Sequence, residues 1–190
     1  MSHRFPPPAV VAAGLVAMLA TPASAAEYVQ TAGSASTLVF ASRYDGELFT
    51  GRFPGFSTRL SFDPAKPAEG KLEVTIPLAG AVSGNGDRDA TLQSADFFNV
   101  ARFAQATYTA QGFRDLGNGQ YAADGTLSRR GVSKPVTLTF SWTPGAQPVL
   151  TGKATVKRLE FGVGGGDWAD TGTIPDDVAI STKVVFEAAR

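Results

Sequence analysis

The chain has 190 residues, and its 17 basic and 17 acidic side chains give a formal net charge of zero at pH 7. It contains no cysteine, which excludes disulfide bonds, thiolate nucleophiles and cysteine-ligated metals, and its single histidine is His3. The rest of the chain therefore lacks the residue on which most general-base catalysis and histidine–metal sites depend. The basic residues are scattered, so no nucleic-acid partner is expected. We expect a binding protein rather than an enzyme, with no cofactor and no metal.

Residues 1–26 are predicted to be a secretory signal peptide. A short basic start at His3 and Arg4 precedes the mostly apolar run of residues 9–20, and the small residues Ala23-Ser24-Ala25 follow. As a helix this run would span about 18 Å, well short of the roughly 30 Å hydrocarbon core of a bilayer. We therefore expect cleavage after Ala25 or Ala26, export to the periplasm, no stable membrane insertion, and one mature domain at residues 27–190.

The mature region alternates apolar and polar residues with a period of two, and turn-forming residues separate the runs. No helical pattern is long enough to connect parallel strands. The sequence therefore predicts an all-β fold, either an up-and-down antiparallel barrel or a sandwich. The eight predicted strands are residues 38–44, 56–62, 71–76, 104–113, 120–128, 136–142, 150–157 and 178–186.

Two connections carry local signals. Gly117-Asn118-Gly119 predicts a tight hairpin turn. Residues 88–98 have some helical character, with Asp87 as the expected N-cap, but they are long enough for only one or two turns.

The predicted inner faces differ in side-chain size. Ala123, Gly125, Gly152 and Ala154 are small, and on facing strands they would leave a cavity in an eight-stranded barrel. They would equally well complement bulky side chains across a filled interior. The pattern alone leaves both interpretations open.

Arg88 and Asp89 form an adjacent pair of opposite charges where a loop meets the predicted helical turn. They would cap this turn and tie it to the barrel, or Arg88 would meet the polar head of a ligand. The structural role is favoured. Phe97 and Phe98 are expected to close one barrel end and to contact a ligand secondarily.

Four segments of the chain carry recognisable motifs: Gly51-x-Phe53-x-x-Phe56, Arg88-Asp89-x-x-Leu92-x-Ser94-x-Asp96-Phe97-Phe98-Asn99-Val100, Gly125-x-Leu127-x-x-x-Gly131-Val132-x-Lys134-Pro135-Val136 and Arg158-x-x-Phe161-Gly162-Val163. They closely resemble segments of the YceI-like, lipid/polyisoprenoid-binding family, and the resemblance runs from about Tyr28 to Phe186. The chain departs from the family pattern in two places: residues 103–105 lack the family's usual proline, and a glycine-rich run replaces the polar residue common before Arg88.

The resemblance implies an extended, lipocalin-like, eight-stranded antiparallel barrel. Its elongated apolar cavity would hold a polyisoprenoid or isoprenoid quinone-like lipid in the periplasm. On this basis Arg88, Asp89, Phe97 and Phe98 are expected at the cavity mouth. The residues expected to line the cavity are Phe40, Phe56, Leu60, Phe62, Leu72, Val74, Tyr108, Leu138, Phe140 and Val184.

Two other functions stay open from the sequence. One is an enzyme that acts on an isoprenoid or quinone through carboxylate or tyrosine chemistry. The other is an interaction module, without a ligand, for a membrane redox partner. A homodimer is also compatible with the sequence.

Overall fold

The structure is a computed structural model that describes residues 25–189. The predicted signal peptide up to residue 24 lies outside the described residues. The described chain contains ten strands and one α-helix, α1 (Gly86–Gln93), with short 3₁₀ turns at Pro67–Glu69, Leu159–Phe161 and Gly166–Trp168. The strands are β1 (Ala26–Gln30), β2 (Thr37–Tyr44), β3 (Glu47–Arg52), β4 (Ser57–Phe62), β5 (Lys71–Pro77), β6 (Gln105–Gly117), β7 (Gln120–Arg129), β8 (Val132–Thr143), β9 (Val149–Lys157) and β10 (Asp177–Ala188).

Eight of these strands form a closed antiparallel barrel. Each of β4 to β9 pairs with the next strand in chain order, and β1 closes the circle by pairing with both β4 and β10. Tyr28 of β1 lies opposite Leu60 on one side and Ala188 on the other. The predicted all-β, eight-stranded antiparallel barrel is confirmed.

The remaining two strands extend the barrel wall. The N-terminal half of β10 pairs with β2 instead of β1, so that Ile180 lies opposite Phe40. β2 pairs in turn with β3, and an isolated bridge joins Arg52 of β3 to Val82 beyond β5. The wall is therefore completed by β1 at one end of the barrel and by the β2–β3 hairpin at the other.

The strand prediction located β2 and β4 to β10 but missed β1 and β3. It therefore counted β2 as the eighth barrel strand, a place that β1 occupies. The two-residue turn Asp45-Gly46 connects β2 to β3, with φ of 49° and 82°. Asp-Gly is a strong hairpin signal, so the sequence contained the information for this turn. The hairpin predicted at Asn118-Gly119 is confirmed, since Gly117 pairs with Gln120 across it.

α1 is shorter than predicted and begins earlier. Its N-cap is Asn85 rather than Asp87, because the Asn85 side chain accepts a hydrogen bond from the Arg88 N–H at 3.0 Å. The chain leaves the helix at Ser94 and continues as turns through residue 103. These turns bring Phe97 and Phe98 inside, where both side chains are buried.

Aromatic rings fill the end of the barrel at which β4, β6, β8 and β10 finish. Phe62 lies at their centre, 5.0–5.8 Å between ring centroids from four other rings, mostly edge to face. Such contacts add to the free energy gained by burying the rings. We call this cluster the aromatic plug, and its members are Tyr28, Phe62, Phe113, Tyr121, Phe140, Trp142 and Phe186.

Candidate functional site

A two-lobed apolar cavity runs from the aromatic plug towards α1. The plug-side lobe lies in the middle of the barrel, and the helix-side lobe lies beneath α1 and residues 94–103 and 158–176. The cavity volume is about 120 Å³ in the plug-side lobe and about 140 Å³ in the helix-side lobe. Both lobes share one ring of residues, which we call the waist: Ile76, Leu127, Val156 and Ile180.

Seven of the ten residues expected at the cavity line it. Phe40 lines the helix-side lobe. The other six are among the residues that line the plug-side lobe: Phe56, Leu72, Val74, Tyr108, Leu138 and Val184.

The other three expected cavity residues do not line either lobe. Phe62 and Phe140 belong to the aromatic plug, and Leu60 packs in the same buried cluster. All three side chains are at most 1% exposed. The period-two pattern correctly placed them inside the barrel, but it could not show that this end is filled by rings.

The residues expected at the mouth separate into two pairs. Phe97 and Phe98 line the helix-side lobe. Arg88 and Asp89 do not: the Arg88 guanidinium stacks on Phe49, 4.5 Å from the ring centroid, and Asp89 Oδ1 accepts hydrogen bonds from the Ser83 N–H and hydroxyl at 2.7 and 2.6 Å. Both residues fasten α1 to its surroundings.

The small inner residues play different parts. A Cβ on Gly125 would lie 2.4 Å from Tyr108 Cζ, and one on Gly152 would lie 2.9 Å from Leu138 Cδ1. These two glycines therefore make room for bulky neighbours. Ala154, by contrast, lines the plug-side lobe and leaves space there.

Tyr108 is a polar anchor in the plug-side lobe. Its hydroxyl lies within hydrogen-bond distance of the Ala123 carbonyl oxygen, at 2.8 Å, and of the Val136 carbonyl oxygen, at 3.0 Å. Burial raises the pKa of this phenol to about 12. Thr58, in the same lobe, has a buried hydroxyl with no hydrogen-bond partner among the described residues.

Two buried arginines line the helix-side lobe. Arg158 is 4% exposed, and its guanidinium donates to five backbone carbonyls between residues 163 and 175. Burial lowers its pKa. These bonds anchor the loop that covers the lobe. Arg129 is 7% exposed and was not among the residues expected from the sequence.

The signal for Arg129 was present in the alternation of β7. Tyr121, Ala123, Gly125 and Leu127 face inwards, and Arg129 is the next residue in phase with them.

Ser42, on the inner face of β2, also lines the helix-side lobe and has a buried hydroxyl without a partner among the described residues.

No carboxylate lines either lobe within residues 25–189. The same residues contain no group of three or more histidine, aspartate or glutamate side chains arranged to hold a metal ion. None of the helices described in the structure has the length and apolar character needed to cross a membrane.

A groove on the outside of the barrel adjoins both lobes. It lies between the β1–β2 and β3–β4 connections, at residues 30–38 and 52–57, and has a volume of about 590 Å³. Leu38 and Phe56 line both the groove and the plug-side lobe, and Phe53 lines both the groove and the helix-side lobe. Only these side chains are shared between the groove and the interior.

Comparisons with known sequences agree on one family. A family model described as the YceI-like domain matches residues 29–186. The UPF0312 protein Shew185_3055 of Shewanella baltica strain OS185 is 35% identical over 165 residues, which cover 82% of this chain and 85% of that protein. A UPF0312 protein of Shewanella denitrificans is 39% identical over 127 residues, 66% of each chain.

Solved structures show the same barrel. BcnA of Burkholderia cenocepacia superposes with a TM-score of 0.76 at 30% identity, covering 79% of this chain and 95% of that chain. The YCEI protein of Campylobacter jejuni gives a TM-score of 0.63 at 28% identity, with coverages of 74% and 84%. A polyisoprenoid binding domain from Saccharophagus degradans gives 0.66 at 19% identity, with coverages of 87% and 99%, and this likeness concerns the fold alone.

Proposed function

Because this chain belongs to the YceI-like domain family, we propose that it is a binding protein that carries a long apolar lipid through the periplasm. The ligand class is a polyisoprenoid or an isoprenoid quinone-like lipid, held inside the barrel. The polyisoprenoid binding domain from Saccharophagus degradans shares the fold and supports this class. The predicted signal peptide supports the periplasmic location. A carrier is needed there because a long apolar chain is unfavourable in water.

The observation that carries this proposal is the apolar cavity on both sides of the waist. Inward-facing side chains of a filled barrel would be buried, as five of the seven members of the aromatic plug are: Phe62, Phe113, Tyr121, Phe140 and Phe186. Val74, Val136 and Ile180 also face inwards, but they are only partly buried because they border open space. A lipid chain would cover these surfaces, gaining about 25 cal/mol for each Å² of apolar area removed from water.

The outer groove supplies the entry route in this proposal. The wall there consists of two connections and the shared side chains Leu38, Phe53 and Phe56. A rotation of these side chains would open the interior without breaking a strand pair of the barrel. Side-chain rotations occur far faster than the local unfolding that separating two strands would require.

Binding of a neutral apolar dye, N-phenylnaphthylamine, tests the proposal in a matched pair of variants. Ala154→Phe places a ring in the plug-side lobe, whereas Thr155→Phe places the same ring on the outer face of the same strand. We expect the wild-type protein to bind the dye and geranylgeraniol to displace it. Ala154→Phe should weaken dye binding at least about tenfold, equivalent to 1.4 kcal/mol. Thr155→Phe should leave it unchanged.

The proposal is wrong if the wild-type protein takes up neither the dye nor geranylgeraniol. It is also wrong if Ala154→Phe and Thr155→Phe both bind the dye as the wild-type protein does. Urea unfolding of both variants shows whether the barrel remains folded.

A further inference from the structure

Arg129 lines an otherwise apolar lobe, and neighbouring atoms cover its guanidinium nitrogens Nε and Nη1. Strand alternation directs it inwards from β7, just beyond Leu127 of the waist, and its side chain is more than nine-tenths buried. Arginine is almost never found this deeply buried without partners for its charge. The hydrogen-bond acceptors and charges around Arg129 therefore indicate its role.

The hydrogen bonds of Arg129 are incomplete. Its Nη2 donates to the Phe97 carbonyl oxygen at 3.1 Å, and its guanidinium carbon lies 4.5 Å from the centroid of the Phe98 ring. Nε and Nη1 are buried and have no acceptor among the described residues. Nε carries one N–H and Nη1 carries two, so at least three of the five N–H donors of this side chain lack partners among the described residues. Unpaired buried donors are rare, and those on a charged group are the most costly.

No negative charge compensates Arg129 from within residues 25–189. The ion pairs of this region involve Arg114 and Lys157 only. The neighbouring Arg130 adds a second positive charge and donates to the same Phe97 carbonyl oxygen at 2.8 Å. Burial, assisted by the Arg130 charge, lowers the pKa of Arg129 to about 9, so the guanidinium is protonated at neutral pH.

Ser42 adds a second unpartnered group to the same lobe. Arg158 also lines this lobe, but its donors are already bonded to backbone carbonyls. The free hydrogen-bonding capacity of the helix-side lobe is therefore concentrated at Arg129, with the Ser42 hydroxyl in addition.

We propose that the helix-side lobe binds the anionic head group of the lipid, a carboxylate or a phosphate, through Nε and Nη1 of Arg129, which the head group reaches by displacing the side chains that cover them. The apolar chain then passes the waist into the plug-side lobe. This inference rests on the proposed function and narrows its ligand to lipids with an anionic head, such as a polyprenyl phosphate, in preference to a neutral quinone. A charge-assisted hydrogen bond is about twice as strong as a neutral one. The anionic head group also supplies the negative charge that the lobe lacks.

Matched pairs of ligands test the inference. Geranylgeranyl phosphate is compared with geranylgeraniol, and oleate with oleyl alcohol, by displacement of N-phenylnaphthylamine. The phosphate and carboxylate arms distinguish the two head groups. The variant Arg129→Met removes the charge while keeping much of the side-chain volume, and Arg59→Met removes an exposed arginine from the outer face of β4 as the control.

We expect the wild-type protein and Arg59→Met to bind at least one anionic lipid about tenfold or more tightly than its alcohol. Arg129→Met should lose this preference and still bind both alcohols. Arg129→Gln provides a second variant if the methionine variant fails to fold. The inference is overturned if the wild-type protein shows no preference, or if the folded Arg129 variants keep it.

Failure of this inference is distinguishable from failure of the proposed function. Binding of the dye and both alcohols without an anionic preference contradicts only the role of Arg129. Absence of binding for the dye and all four lipids contradicts the proposed function itself.

Discussion

Arg158 and Arg129 line the same lobe of the cavity, but the guanidinium of Arg158 is fully hydrogen-bonded and that of Arg129 is mostly unpaired. All five donors of Arg158 point to backbone carbonyls within 3.1 Å, whereas Arg129 donates only from Nη2. Arg158 therefore has no donor left for a ligand. Arg129 keeps at least three unpaired donors for a group that enters the cavity.

This contrast predicts unequal effects of the two arginines on stability. Arg158→Met would leave several carbonyls unpaired beneath the loop at residues 158–176, and we expect the free energy of unfolding to fall by more than about 3 kcal/mol. Arg129→Met should change it by less than about 1 kcal/mol or raise it, because a poorly paired buried charge is replaced by an apolar side chain. Urea denaturation of the ligand-free variants measures both values. Equal losses for the two variants would contradict the contrast.

The aromatic plug is expected to stabilise the barrel without contacting the ligand. Phe62→Leu removes ring contacts with Phe113, Tyr121, Phe140 and Trp142, and we expect a loss of about 1–3 kcal/mol in the free energy of unfolding. Its affinity for geranylgeraniol should stay within about twofold of the wild-type value, because Phe62 does not line the cavity. A large loss of affinity at unchanged stability would instead place Phe62 against the ligand.

The waist should control how long a chain the cavity accepts. Val156→Phe adds a ring between the two lobes. We expect the affinity for the long geranylgeraniol to fall about tenfold or more, while the shorter geraniol, which fits one lobe, changes by less than about threefold. Displacement of N-phenylnaphthylamine measures both, with Thr155→Phe as the outward-facing control. Equal effects on the two alcohols would show that ligands do not span the waist.

The raised pKa of Tyr108 predicts that this residue stabilises the fold less as the pH becomes alkaline. Its pKa is about 12 in the folded protein and about 10 in an unfolded chain. The folded state therefore holds the phenolic proton more tightly, and the resulting stabilisation is complete below about pH 10 and lost as the pH rises towards 12. We expect the difference in unfolding free energy between the wild-type protein and Tyr108→Phe to shrink over this range. A constant difference between pH 10 and 12 would contradict the assignment.

The sequence predicted the barrel from the strands whose inner faces alternate clearly. β4 to β10 have long runs with turn residues between them, and their pattern placed Phe56, Leu72 and Val184 inside. β1 is only five residues long and follows the predicted leader directly, so it offered too few alternations to recognise. Its pairing with β10 is a contact between the two ends of the domain, which local periodicity does not encode.

The cavity was harder to predict than the barrel. Alternation assigns a side chain to the inner face, but it does not distinguish Phe62 in the plug from Phe56 beside open space. Both are apolar and in phase with their strands. Arg129 was missed for a different reason: an arginine before Arg130-Gly131 resembles an exposed turn residue, and only its phase with Leu127 indicated otherwise.

Native mass spectrometry of the protein, isolated from its own cells without denaturation, tests whether it carries a lipid with an anionic head group. We expect a bound lipid with an apolar chain, which is released on denaturation and depleted in Ala154→Phe. We further expect this lipid to carry a carboxylate or phosphate and to be depleted in Arg129→Met. Repeated isolation without any apolar molecule, from a protein that also fails to take up geranylgeraniol or geranylgeranyl phosphate, would contradict the account.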